Sequence, residues 1–315
     1  MGVLSKISMV GAGNVGATAG EKIAREDLAD ELVFVDVIDG LPQGRALDMY
    51  ESAPLERFNT RISGSNDYAS IKDSDIIVVT AGLARKPGMT RSDLLDKNAS
   101  IMSGIAENIR KYAPSSIVIV VTNPMDIMTY LMFRKTGFEK KRVLGMAGVL
   151  DTARFRTFVG MELHMDPAQV SALVLGGHGP SMVPVTSSAS VGGVPLSQLL
   201  DQKRMAAIVE RTRMGGDEIV NLLKTGSAFY APASSICEMV RAIALDQRKI
   251  LPCSAYLDGE YGIKDIYTGV PVMLSAEGVS RVVEVPLSQD EQKALKASAD
   301  AVRKDVDELK AHGYL

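Results

Sequence analysis

The sequence predicts an α/β protein in two parts: an N-terminal doubly wound domain with a parallel sheet, and a C-terminal substrate domain of mixed α+β type. Three observations support this. At about 150 residues per domain, 315 residues make roughly two domains. Up to residue 148, short apolar runs alternate with longer helical stretches, the pattern of a parallel sheet covered by helices. Beyond residue 150 an uncharged stretch broken by Gly and Pro is followed by long amphipathic helices, so the division falls at 1–148 and 149–315.

In the first part the strands are expected at 7–10, 32–36, 61–64, 76–80, 117–122 and 142–145. Between them lie a helix from a glycine-rich turn to about 26, one over 44–52 and a long one over 92–112. Another follows Val121-Thr122-Asn123-Pro124, with Pro124 near its start, where a missing backbone donor costs little. In the second part helices are expected at 151–164, 203–224 and 231–246, with a hairpin over 257–266 turning at Asp258-Gly259. A closing helix begins at Ser288, which forms a capping box with Glu291. No flexible linker separates the halves, so a tight interface is expected.

Composition excludes several classes. A net charge of -3, from 35 basic and 38 acidic residues, leaves no basic footprint for nucleic acid. Two cysteines cannot build a disulfide framework, so Cys237 and Cys253 read as buried small hydrophobes of a reducing, cytoplasmic setting. The N-terminus enters a strand without a cleavable apolar core, so no signal peptide is expected. Between Asp166 and Asp201 no Asp, Glu, Lys or Arg occurs, but Pro167, Pro180, Pro184 and Pro195 break the run into short strands and turns, and no membrane span follows. His164, His178 and His312 do not cluster with Cys or acidic residues at ligand spacing, so no metal site is expected. Met125, Met128 and Met132 share a helix face as core filler.

Four elements carry chemistry. Gly11-Ala12-Gly13-Asn14-Val15-Gly16 matches GxGxxG, follows the first strand and opens the first helix, while Asp36 ends the second strand. This is the Rossmann fingerprint: Gly11 permits the tight turn, Gly13 the approach of backbone to a pyrophosphate, and Gly16 the packing of helix on strand. Asp36 would bind both ribose hydroxyls and repel a 2'-phosphate, favouring NAD over NADP. The second element is the basic loop 82–91 after the fourth strand, where Arg85 and Arg91 flank Pro87-Gly88. Guanidinium groups suit carboxylates, although by itself such a loop could equally be a solvated surface. The third is Asp151 with Arg154, three apart on one helix face; alone, a surface ion pair. The fourth is His178 in Gly176-Gly177-His178-Gly179, the one ionisable group of the uncharged stretch and suited to general acid/base work near its ordinary pKa of about 6.5. Without a partner it would read as a buried neutral histidine; Asp151 can be that partner, orienting the ring and stabilising its charged form.

In this order, VGAGNVG, VDVIDGLPQGRALDM, TAGLARKPGMTRSDLL, VTNPMD, GVLDTARFRTF, GGHG and LKTGSAFYAPA resemble the lactate/malate dehydrogenase superfamily, in its lactate dehydrogenase-like malate dehydrogenase branch. The resemblance spans nearly the whole chain and implies reversible oxidation of (S)-malate to oxaloacetate with NAD+. It casts His178 as the proton acceptor, Asp151 as its partner, Arg154 as the clamp on the carboxylate beside the reacting carbon, and Arg91 as the group that polarises the carbonyl. Arg85 stands where lactate dehydrogenases usually carry a glutamine, which implies a second carboxylate on the substrate. Asn123 would bind the substrate oxygen near the nicotinamide, with Val121, Thr122 and Asn98 on the cofactor side and Ser227 at the small-group end of the pocket. A homo-oligomer is implied, a tetramer over a dimer. One departure is Pro180, where relatives commonly carry an acidic residue; a shifted pH optimum is expected, to be read from pH–rate profiles of the parent and Pro180→Asp. The rival readings are a lactate or broad 2-hydroxyacid dehydrogenase, against which Arg85 argues, and a catalytically silent NAD-binding regulator, which would not need His178, Asp151, Arg154 and Arg91 together.

Overall fold

The computed structural model describes residues 3–83 and 91–315, so Arg85 lies outside the described residues, as does the side chain of Arg91. The first half alternates β1 (Leu4–Val10), α1 (Asn14–Arg25), β2 (Ala29–Val35), α2 (Leu41–Glu51), the single turn α3 (Ala53–Glu56), β3 (Arg61–Ser65), β4 (Ile76–Val79), α4 (Arg91–Tyr112), β5 (Ile117–Val120), α5 (Met125–Thr136) and β6 (Val143–Gly145). Their six strands pair in parallel in the order β3-β2-β1-β4-β5-β6, which is the doubly wound arrangement. Every residue of β4 and of β5 is buried, as expected of central parallel strands covered on both faces.

The second half contributes α6 (Gly148–Leu163), β7 (Val170–Ser171), β8 (Val174–Leu175), β9 (Val183–Pro184), β10 (Ser190–Val191), β11 (Val194–Pro195), α7 (Leu196–Leu199), α8 (Gln202–Leu223) and α9 (Tyr230–Ala244). It closes with β12 (Lys249–Asp258), β13 (Lys264–Ser275), β14 (Gly278–Val282) and α10 (Gln289–Ala311). The uncharged stretch breaks into β7 to β11, which form one three-stranded and one two-stranded antiparallel sheet. Ser288 caps α10 in the capping box with Glu291 that the sequence predicts.

The structure differs from the sequence reading at the hairpin. The hairpin is far longer than 257–266: β12 and β13 pair from Lys249 against Leu274 to Asp258 against Lys264. Asp258 ends the strand, and the tip contains a short helical turn over Glu260–Gly262 rather than a two-residue turn. This hairpin also joins the main sheet. Ser254 of β12 pairs with Gly145 of β6, so the antiparallel strands extend the parallel sheet to nine strands across both halves. Pro124 stands near the start of α5 as expected, as the extended residue just before Met125, after a cis peptide bond from Asn123.

Helix starts also shift. α2 begins at Leu41, because Gly40, at φ 72, ends the loop and Pro42 fits the first helical turn. α6 begins at Gly148, which puts Asp151 in the buried first turn.

Candidate active site

At the carboxyl end of β1 the chain turns at Gly11, whose φ of +109 favours glycine. A Cβ there would lie 2.5 Å from Thr80 Oγ1 and 2.7 Å from the Ala81 amide nitrogen, so the turn packs directly on the end of β4. A Cβ on Gly16 would stand 2.0 Å from the Gly11 carbonyl oxygen, which is how closely α1 approaches the strand end. Nothing lies within 4 Å of a Cβ built on Gly13. Gly13 therefore opens the N-terminus of α1 to a ligand, and it supplies no side-chain cap to the first-turn N–H donors. Such a helix end suits a pyrophosphate. Ala12 and Asn14 lie beside Gly13 in this turn, and Val15 is the first partly buried residue of α1.

Asp36 closes β2 beside this turn. The Ala12 amide donates to its Oδ2 at 2.8 Å and the Ile38 amide to its Oδ1 at 3.0 Å. Each oxygen keeps a lone pair for a ribose hydroxyl. Asn66 fixes the segment from behind by donating to the Asp36 and Ile38 carbonyls. The residues present fit a dinucleotide.

After β5, Thr122 is buried and donates through its hydroxyl to the Ala81 carbonyl at 2.6 Å, and the Val121 amide donates to Val79. Asn98 is fully buried on α4. Its Nδ2 donates to the carbonyls of Leu83 and Asn123, and its Oδ1 accepts from the Leu83 amide at 2.8 Å. Asn98 thus bridges the segments that follow β4 and β5, and it leaves the exposed Asn123 side chain at the crevice.

The Asp151–His178 pair comes from two elements. α6 presents Asp151 and, one turn on, Arg154; the loop after β8 presents His178, anchored where Gly176 bridges to Gly269 of β13. Asp151 Oδ2 lies 2.8 Å from His178 Nδ1, and Arg154 Nη1 donates to Asp151 Oδ1 at 3.1 Å. A carboxylate only accepts, so Nδ1 carries the hydrogen and Nε2 is left to exchange a proton. Burial pulls the histidine pKa down; the Asp151 charge and hydrogen bond outweigh it, with a smaller contribution from Asp126 against the opposing Arg154, and hold it above the ordinary value. Arg154 Nε is buried and has no hydrogen-bond partner among the described residues.

Sequence reasoning missed the supports of this loop. Asp126, in the first turn of α5, accepts from the His178 amide at 2.7 Å and from the Ser254 hydroxyl at 2.6 Å. Burial raises the Asp126 pKa, and those two hydrogen bonds oppose it. Ser298 of α10 accepts from the Gly177 amide at 2.8 Å. An Asp amid the apolar residues of α5 was the available signal, since a buried carboxylate needs specific donors. Ser227 is exposed on the segment between α8 and α9, outside this hydrogen-bonded cluster, and Pro180 is exposed next to Gly179.

No helix among the described residues is long and apolar enough to cross a membrane, and no group of three or more His, Cys, Asp or Glu that could hold a metal occurs among them. Cys237 and Cys253 are free and buried; burial, the largest cause, pushes the Cys237 thiol up to about 12.

A dinucleotide fold with an Asp–His pair and an arginine by its strand ends fits an NAD-dependent oxidoreductase that acts on a CH–OH group. Two family models place it further: the lactate/malate dehydrogenase NAD-binding domain matches residues 5–145, and the lactate/malate dehydrogenase alpha/beta C-terminal domain matches residues 148–312. The chain belongs to the lactate/malate dehydrogenase family, and its cofactor is NAD. It is 54% identical over 304 residues to malate dehydrogenase of Chloroherpeton thalassium, covering 96% of this chain and 98% of the relative. It superposes on malate dehydrogenase from Salinibacter ruber with a TM-score of 0.93 at 50% identity, covering 97% of this chain and 98% of the other. Lactate dehydrogenase from Cryptosporidium parvum, solved with lactic acid and NAD, superposes with a TM-score of 0.94 at 40% identity, covering 98% of each chain. The fold is therefore common to both activities, and substrate choice must be argued from side chains.

Proposed function

We propose that this protein is an NAD-dependent malate dehydrogenase that interconverts (S)-malate and oxaloacetate. The observation that carries the chemistry is the Asp151–His178 contact of 2.8 Å, which engages Nδ1 and makes Nε2 the ring nitrogen that can exchange a proton with substrate. In oxidation His178 takes the proton of the 2-hydroxyl at Nε2, and Asp151 stabilises the imidazolium that forms. NAD+, when bound, accepts the hydride from the same carbon. Arg154 holds the carboxylate beside that carbon, and Asn123 hydrogen-bonds the reacting oxygen. From the resemblance, Arg91 polarises the carbonyl in the reverse direction, Arg85 binds the second carboxylate and Ser227 lines the small-group end. Gly11, Ala12, Gly13, Asn14, Val15 and Gly16 would hold the pyrophosphate, and Asp36 would hold the adenosine ribose. Val121, Thr122 and Asn98 shape the nicotinamide side, Asn98 through the two segments that it ties together.

The same reading divides the chain into a cofactor half, 1–148, and a substrate half, 149–315. It makes the protein a cytoplasmic homo-oligomer, a tetramer in preference to a dimer. The test follows NADH absorbance with oxaloacetate in one cuvette and pyruvate in another at matched concentration. A strong preference for oxaloacetate is expected. A preference for pyruvate would refute the role of Arg85, and tight NADH binding without turnover of either would move the protein to the silent NAD-binding class.

A further inference from the structure

Helix α8 carries two adjacent glycines, Gly215 and Gly216, in its interior. Glycine is the weakest helix former after proline, so such a pair needs a local reason. Backbone conformation is not the reason, because neither residue has a positive φ. Space is. A Cβ on Gly215 would stand 3.2 Å from Arg154 Cδ, 3.6 Å from Arg154 Nε and 3.6 Å from Phe158 Cε2. At Gly216 the neighbour is Arg154 Nη2, at 3.8 Å. The arginine therefore lies along the bare face of α8 from its stem to its outer nitrogen.

The other walls of this slot are held. Arg154 Nη1 is bonded to Asp151 Oδ1 at 3.1 Å. Phe158 is backed by the Arg211 guanidinium, 4.3 Å from its ring centroid, and Arg211 donates in turn to both carboxylate oxygens of Glu218. A methyl group at 215 would meet Arg154 at a distance tighter than ordinary contact, and the arginine stem is the part able to give. The guanidinium would then move by a few tenths of an ångström, where a two-pronged carboxylate contact is sensitive to geometry.

We propose that Gly215 is a positioning residue for substrate recognition: by presenting no side chain it lets the Arg154 stem lie flat on α8, and so sets where the guanidinium meets the substrate carboxylate. This rests on the role proposed for Arg154. Gly215 touches no substrate itself; it acts through the arginine.

The experiment compares the full-length parent, Gly215→Ala and Gly104→Ala in steady-state kinetics, varying oxaloacetate and NADH separately, together with thermal midpoints. Gly104 lies exposed in α4 with nothing within 4 Å of its Cβ position, so that variant makes the same chemical change in a helix without touching a neighbour. Parent turnover of oxaloacetate tests the proposed function; the ratio of variant to parent tests Gly215, on whichever 2-keto acid the parent accepts. Gly215→Ala is expected to raise KM for the keto acid about tenfold, as for one charge-assisted bond lost, while KM for NADH stays within about twofold. Gly104→Ala is expected to leave both constants unchanged. Adding Phe158→Leu to Gly215→Ala shrinks the other side chain that the new methyl group meets, so that the arginine need not give way, and is expected to return KM toward the parent value. An unchanged keto-acid KM in Gly215→Ala, parallel rises in both constants, a protein that does not fold, or no recovery in the double variant would each overturn the proposal.

Discussion

Asp126 offers the sharpest test of how the catalytic loop is held. It is a buried carboxylate that meets two donors, the His178 amide at 2.7 Å and the Ser254 hydroxyl at 2.6 Å. Asp126→Ala removes the acceptor and leaves both donors in the interior. A buried donor without a partner costs about 1–3 kcal/mol, so the loss should be about 2–6 kcal/mol, a large part of a typical folding free energy. Asp126→Asn is milder. Its amide oxygen can accept from His178 N–H, and its NH2 can donate to Ser254 Oγ, so only the charge-assisted component is lost, about 1 kcal/mol per bond. The assay is urea unfolding by circular dichroism, paired with kcat and KM for oxaloacetate and for NADH. Stability should fall in the order parent, Asn, Ala, and kcat should fall in the same order, because the His178 backbone is no longer pinned. KM for NADH should hardly move. If Asp126→Ala unfolds at the parent's urea midpoint with the parent's kcat, the reasoning is wrong and the two short contacts carry no weight.

Three further outcomes follow from the site. In Asp151→Asn the charge that holds the His178 pKa up is gone and burial dominates, so the pKa should fall; oxaloacetate reduction, which needs the protonated ring, should lose activity from a lower pH than in the parent. The linked stability has a definite sign: in the parent it is fully present below about 6.5 and is lost as pH rises through the elevated folded value, and a variant with the same pH–stability profile would refute the pairing. Asp36→Ala should cut the NADH-to-NADPH preference in kcat/KM by about tenfold or more, through loss of ribose hydrogen bonds and of repulsion toward a 2'-phosphate; an unchanged ratio would mean that Asp36 does not face the ribose. Arg85→Gln should lower activity on oxaloacetate by about 100-fold or more while sparing pyruvate, and equal losses on both would count against the second-carboxylate role.

How much of this was legible beforehand depends on whether the physics is local. The glycine turn, the parallel strands and the capping box at Ser288 are short-range features, and the structure has them where the pattern puts them. Asp151 and Arg154 were legible as a pair through helix spacing, and His178 through its isolation in an uncharged stretch. Asp126, Ser254 and Ser298 were not, because each acts on the histidine loop across a long sequence separation. The pairing of β12 with β6 was likewise invisible: a hairpin's own turn chemistry says nothing about which strand edge it joins. Gly215 was passed over for a related reason, since a glycine inside an amphipathic helix reads as a weak point until the arginine packed on it is known.

These long-range contacts have a common consequence. His178 sits in the second half of the chain, yet its amide is held by Asp126 from α5, in the cofactor half, while its ring is held by Asp151 from α6. Ser254, which shares Asp126, lies on the β12 residue that pairs with β6 and joins the two halves into one sheet. His178 is therefore tied to the strand ends that carry the dinucleotide turn through a continuous sheet and a buried carboxylate, rather than across a mobile seam. In the proposed reaction hydride and proton leave neighbouring atoms of one substrate, so His178 and the cofactor crevice must keep their spacing through each turnover. A rigid frame of this kind supplies that spacing, and Arg154, the proposed carboxylate clamp, is set against the same frame by its bond to Asp151 and its contact with α8.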